Sequence, residues 1–196
     1  MYLIGITGGT GCGKSFVSEY LRKSGFEVID ADRVCREVVE KGKPALSEIV
    51  QHFGREVLLP DGTLNRKALG KIVFSDSEKL ALLNKIMFRY VMQSIEQSIA
   101  NCRSEFLFLD APLLIEYGLH TRCDRVICVL SEESLRAERI MKRDGLSEED
   151  AKNRINSQNK DEFYLEKSDY IVYNNSTREE LEKQIELIIE QLRALS

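Results

Sequence analysis

Short runs of consecutive apolar residues alternate along this chain with stretches in which apolar residues recur every three or four positions. Tyr2–Thr7, Phe26–Ile29, Ser104–Asp110, Asp124–Leu130 and Tyr170–Tyr173 form the first kind and are predicted strands. Runs apolar on both alternating faces suit a parallel sheet covered on each side. Phe16, Val17, Tyr20 and Leu21 repeat at helical spacing up to a stop at Gly25. A second helix is predicted to begin beyond Asp32, with Val34, Val38 and Val39. Leu181, Ile185, Ile188, Ile189 and Leu192 mark a last helix, capped by Ser176 or Thr177. Between Arg33 and about Asn101 only helical patterns occur, the longest through Leu80, Leu83, Met87, Tyr90, Val91 and Ile95. Breaks fall at Gly42-Lys43-Pro44, Gly54 and Pro60-Asp61-Gly62. The pattern predicts an α/β fold, a doubly wound five-stranded parallel sheet in a single domain. Its core is read as 1–32, 104–131 and 168–196, with a helical insertion at about 33–103 and a charged helical lid at about 132–167.

Composition narrows the class. The 196 residues are 43% hydrophobic, enough for a buried core, and carry a net charge of −4. No basic footprint for duplex nucleic acid is present. Five cysteines, odd in number and without a C-x-x-C pair, argue against a disulfide framework or a zinc site and suit free thiols in a reducing cytoplasm. No apolar run is long enough to span a membrane, and the first residues lack a basic leader, so a cytoplasmic location is expected.

The candidate chemistry centres on Gly8-Gly9-Thr10-Gly11-Cys12-Gly13-Lys14-Ser15, which matches G-x-x-x-x-G-K-[ST] between a predicted strand and a predicted helix. Its glycines let the backbone turn N–H groups toward a polyphosphate, at a helix N-terminus whose dipole favours an anion. Lys14 is expected at the β- and γ-phosphates and Ser15 on Mg²⁺. Strand two ends in Asp30-Ala31-Asp32 on the sheet edge where ligands bind in open α/β folds. These two acids are candidates for function, and either is also a natural helix cap. Asp110 ends strand three, where an acid can support Mg²⁺ opposite Ser15, before the turn Ala111-Pro112-Leu113-Leu114-Ile115-Glu116. Arg136, Arg139, Lys142 and Arg143 follow strand four. Arg139 and Arg143 share a helical face by spacing, suited either to closing over phosphates or to a solvated surface paired with Glu132, Glu133, Glu138 and Asp144.

These motifs fall in an order shared with a known family. The loop, Val28–Asp32, Phe53-Gly54, Asp61–Arg66, Asp110–Glu116, Arg143-Asp144-Gly145 and Arg154–Gln158 together closely resemble dephospho-CoA kinase, from Tyr2 to the last helix. The resemblance implies ATP-dependent phosphorylation of the ribose 3′-hydroxyl of dephospho-CoA, the last step of coenzyme A synthesis. It implies ATP and Mg²⁺ as cofactors, with Lys14, Arg139, Arg143 and the base Asp32 in catalysis. ATP is expected on Gly8, Gly9, Thr10, Gly11, Cys12, Gly13, Lys14, Ser15, Phe16 and Asn174, and the metal on Ser15, Asp30 and Asp110. Dephospho-CoA is expected on Asp32, Arg66, Pro112, Leu113, Leu114 and Glu116, with no nucleic-acid or membrane partner. Departures from the family pattern stand at Phe16 (usually Thr), Met87-Phe88 (His-Pro), Arg136 (Gln) and Tyr164 (Lys).

Two rival readings remain at this stage. A GTP-driven switch needs an N-K-x-D element, but Asn159-Lys160-Asp161-Glu162 places its acid one position early. A kinase for a nucleoside or another small substrate shares the loop and lid.

Overall fold

The computed structural model describes residues 1–195. The chain divides into two compact units, one formed by Met1–Ile29 with the chain from Arg103 onward, the other by Asp30–Cys102.

The first unit is built on the sheet β1 (Tyr2–Thr7), β2 (Glu27–Asp30), β3 (Phe106–Asp110), β4 (Arg125–Leu130) and β5 (Tyr170–Tyr173), in the order β2-β3-β1-β4-β5. The pairs β1–β3, β1–β4 and β4–β5 are parallel. On one face, α1 (Lys14–Lys23) and α9 (Arg178–Arg193) bury Val17, Leu21, Leu181, Ile185 and Ile188 against Ile4, Ile6, Phe108, Ile127 and Val129. On the other, Tyr164 of α8 (Asp161–Leu165) packs with Ile115, Cys128 and Leu130. Covering both faces explains the uninterrupted apolar runs of β3 and β4. Each large side chain buried this way contributes about 1.5–3 kcal/mol of transfer free energy. Thr177 caps α9 by accepting the N–H of Glu180, and all five apolar positions expected on that helix are buried.

Two register facts position the chemistry. Ile6 of β1 lies opposite Asp110 of β3, and Thr7 lies opposite Cys128 of β4. The end of β3 is thereby level with the residues that enter the Gly8–Ser15 loop. Beyond β4 come α6 (Glu133–Asp144) and α7 (Glu148–Asn156), whose Ala137, Ile140, Ala151 and Ile155 form a small core of their own. Gly145, at φ +68°, ends α6. The stretch read as one charged helical lid is thus three helices, with Ser157–Lys160 separating α7 from α8.

The second unit holds α2 (Ala31–Glu37), α3 (Pro44–Phe53), α4 (Arg66–Phe74) and α5 (Ser77–Asn101) around Val39, Ile49, Phe53, Val57, Leu69, Val73 and Ile86. Pro44 opens α3, and Asn65 and Asp76 cap α4 and α5 through their side-chain oxygens. The Pro60-Asp61-Gly62 break is a turn in which Asp61 accepts from the N–H and hydroxyl of Thr63, flanked by an isolated antiparallel bridge between Leu58 and Leu64. Leu80, Leu83, Met87 and Tyr90 of α5 pack on this core. The sequence pattern carries α2 through Val39, whereas the helix stops at Glu37 with Val38 as cap. Val39 is buried all the same, and the chain turns there toward Gly42 and Pro44.

Candidate active site

The loop between β1 and α1 adopts a shape that glycine makes possible. Gly13, the N-cap of α1, has φ +94°, and a Cβ there would come within 2.0 Å of Nδ2 of Asn174. α1 has no side-chain cap and no acid in its first turn. Its N-terminal N–H groups and dipole are therefore left for an anion.

Lys14 and Asp110 form an ion pair, and the hydroxyl of Ser18 donates to the second oxygen of the same carboxylate at 2.6 Å. Asp110 is 6% exposed, so its charge is compensated inside the protein by an ammonium and a hydroxyl. The β1–β3 register makes this meeting possible, because 96 residues separate Lys14 from Asp110. Ser15 is exposed at the start of α1. Phe16 is half-buried, with the Arg178 guanidinium 5.6 Å from its ring centre.

A loop that turns its N–H groups inward turns carbonyls outward, and those need donors. Arg139 supplies them through Nη1 to the carbonyl oxygens of Gly11 (3.2 Å) and Cys12 (3.5 Å), and through the same nitrogen to the Ser131 hydroxyl (3.0 Å). Its Nη2 donates to the Asn174 carbonyl at 2.9 Å. Asn174 adds its own Nδ2 to the Cys12 carbonyl at 2.8 Å. Arg136, 6% exposed, donates from Nε to the Thr10 carbonyl at 3.0 Å. The family resemblance assigned Asn174 to ATP and Arg139 to catalysis. It left Arg136, Ser131, Ser18 and Gln158 unassigned, since a partner for a loop carbonyl has no local signature.

Arg143 is elsewhere. Its guanidinium makes two 2.8 Å bonds to the neighbouring Asp144, which also accepts from Arg154 of α7 at 2.6 Å. The Arg143–Asp144 hydrogen bonding holds the Asp144 carboxyl below its ordinary range and raises the Arg143 guanidinium. Arg139 and Arg143 share a face by spacing but not a set of partners.

Among the remaining candidates, Asp30 caps α2, accepting the Arg33 N–H at 2.9 Å, whereas Asp32 in the first turn is exposed. Arg66 is exposed at the start of α4. Leu114 is fully buried and would meet a Cβ on Gly5 at 2.5 Å, so it serves packing, while Leu113 is 43% exposed and Pro112 half-buried. Glu116 accepts from the buried Tyr164 hydroxyl at 3.0 Å and from Asn159 at 3.2 Å. Burial first, and the Glu116 charge second, push the Tyr164 hydroxyl well above its ordinary range, so it stays a donor. Burial keeps Cys12 protonated as well, and pushes Cys128 up to about 12. All five cysteines are free thiols.

Among the described residues, no helix is long and apolar enough to cross a membrane. No group of three or more His, Cys, Asp or Glu side chains converges as a metal cage there either. A Mg²⁺ ion that keeps its waters and binds through phosphates needs only one or two protein oxygens, which Asp110 and Ser15 can supply.

The sequence profile of the dephospho-CoA kinase family (CoaE) matches residues 2–180. A dephospho-CoA kinase of Corynebacterium efficiens is 40% identical over 195 residues, covering 98% of each chain. Among solved structures, TT1252 from Thermus thermophilus superposes with a TM-score of 0.84 at 30% identity over 97% of both chains. Dephospho-CoA kinase from Campylobacter jejuni gives 0.73 at 28% identity, over 97% of this chain and 96% of that one. A loop built to receive phosphates on a β2-β3-β1-β4-β5 parallel sheet, with full-length likeness of this degree, places the chain in the dephospho-CoA kinase family.

Proposed function

We propose that the chain moves the γ-phosphoryl group of ATP to the ribose 3′-hydroxyl of dephospho-CoA on the Gly8–Ser15 loop, with Lys14 stabilising the transferred charge and Asp32 as the base. The observation that carries this reading is the Lys14–Asp110–Ser18 cluster at the uncapped N-terminus of α1. Lys14 reaches the β- and γ-phosphates, and its pairing with Asp110 holds it at the loop beforehand. Mg²⁺, held by Ser15 and Asp110, would neutralise phosphate charge when bound. Asp30 stands as a further metal candidate, although one of its oxygens accepts the Arg33 N–H.

Asp32 is preferred as base on chemical grounds. The attacking alcohol has a very high pKa, so a carboxylate orients it and accepts its proton late in the transfer. Asp30 is engaged as a cap, whereas the Asp32 carboxylate is exposed. Arg139 keeps the loop carbonyls satisfied, so the N–H groups opposite them stay oriented toward phosphate. Arg66, Pro112, Leu113 and Glu116 are proposed to receive dephospho-CoA.

ATP consumption measured with dephospho-CoA, with nucleosides and with no acceptor tests the reading. Turnover with dephospho-CoA alone is expected. Equal turnover with a nucleoside, or without any acceptor, would overturn it.

A further inference from the structure

The tip of the loop is gripped from a second direction. The N–H of Thr10 donates to Oε1 of Gln158 at 2.7 Å, while its carbonyl accepts from Nε of Arg136 at 3.0 Å. Nη2 of Arg136 donates to the same Gln158 oxygen at 3.4 Å, so the three residues close a ring. Nη1 of Arg136 reaches the Asp161 carboxylate at 3.4 Å. Room for this exists because residue 9 is glycine: a Cβ there would come 2.4 Å from Nη2 of Arg136 and 3.3 Å from the Gln158 oxygen.

Both gripping side chains start from fixed ground. Arg136 is buried on α6, and Gln158 follows directly on Ser157, the cap of α7. The α6–α7 pair is joined by the Ala137, Ile140, Ala151 and Ile155 core, so it holds Arg136 and Gln158 as one body. A loop this rich in glycine loses much conformational freedom on ordering. If the free protein has already ordered the loop, the ligand does not bear that cost when it binds.

We propose that Arg136 and Gln158 are positioning residues whose clamp on Thr10 holds the loop tip in its phosphate-receiving shape before nucleotide arrives, and so sets ATP affinity. The proposal rests on the loop being the ATP site. A carboxamide suits the task, because it accepts the Thr10 N–H without bringing a negative charge toward a polyphosphate, and Arg136 polarises that oxygen.

The test combines ATP titration calorimetry, steady-state kinetics and amide hydrogen exchange at Thr10 on Gln158→Met, Gln158→Glu and Arg136→Lys. Gln158→Met keeps length and removes the acceptor. It should weaken ATP binding about tenfold, the loss expected for one hydrogen bond of ordinary strength. KM for dephospho-CoA should hold, and the Thr10 amide of the nucleotide-free protein should exchange faster. Gln158→Glu retains an acceptor beside Arg136 and should restore most of the Thr10 protection, while its negative charge near the polyphosphate keeps ATP affinity below wild type. Arg136→Lys, which loses the planar fork, should weaken ATP binding in the same direction. Wild-type ATP affinity and Thr10 protection in Gln158→Met would overturn the clamp. So would a Glu variant whose Thr10 amide is as unprotected as in the Met variant, since packing rather than the hydrogen bond would then be responsible. A wild-type protein that binds no ATP would instead overturn the kinase reading, while Thr10 exchange would still report on the clamp.

Discussion

Arg139 and Arg143 sit four residues apart on α6, carry the same charge, and by spacing look interchangeable. Arg139 is half-buried and spends its fork on the carbonyls of Gly11, Cys12 and Asn174, none of which is charged. Arg143 lies exposed in a bidentate pair with Asp144. Removing the first takes the side-chain donor from the Gly11 carbonyl and one of two from those of Cys12 and Asn174, whereas removing the second leaves a carboxylate that solvent and Arg154 still serve. A helical face is therefore a poor guide to role. What decides is whether the far end of the side chain meets a backbone group the fold must serve, as Arg139 meets the Gly11 carbonyl, or a charge that solvent can reach.

This contrast can be broken or sharpened by graded substitutions. Lys14→Ala should have the largest effect, abolishing turnover while circular dichroism stays native, because its ammonium meets charge that grows during transfer. A folded variant with unchanged rate would remove Lys14 from the chemistry. Asp32→Asn should lower turnover about a hundredfold with little change in ATP affinity, since shape is kept and basicity is lost. If Asp30→Asn is inactive and Asp32→Asn is not, the two acids exchange roles.

Arg139→Ala comes next. A Gly11 carbonyl left without its donor costs about 1–3 kcal/mol, which should appear both as a lower melting temperature and as weaker ATP binding. Arg143→Ala should be the mildest, with kinetics within about twofold of wild type and a melting temperature within about 2 °C. Equal losses for Arg139→Ala and Arg143→Ala would restore the shared-face reading. A last check uses the thiols. Burial raises the Cys12 pKa and pushes Cys128 up to about 12, so both remain protonated at neutral pH. Iodoacetamide at pH 7.5 should label them only after unfolding, and rapid labelling of Cys12 in the native protein would mean that the loop opens.

Much of this was legible in the chain. The loop Gly8–Ser15 needs glycine at fixed positions, a lysine and a hydroxyl, so its chemistry is written in consecutive residues. β1, β3 and β4 could be read because both faces of the sheet are covered there, which leaves apolar runs without interruption, and the edge strands β2 and β5, only partly buried, were legible from shorter apolar runs. α9 showed its buried face through i, i+4, i+7 spacing and its start through Thr177. Boundaries shifted by one or two residues at β2, β3 and β4, since strand ends depend on pairing with a neighbour. α2 ended two residues before Val39 because a buried valine can be reached as well by a turn as by a helix.

Sequence alone determined the local devices: the glycine loop, the caps, the apolar periods and the acids at strand ends. Each depends on residues within one or two turns of one another. Only the tertiary structure decided partners across long separations. Asp110 meets Lys14 through the β1–β3 register, Asn174 reaches Cys12 from beyond β5, and Arg136 with Gln158 closes on Thr10. A backbone carbonyl can be served by any donor the fold brings near, so no spacing along the chain encodes which arginine it will be.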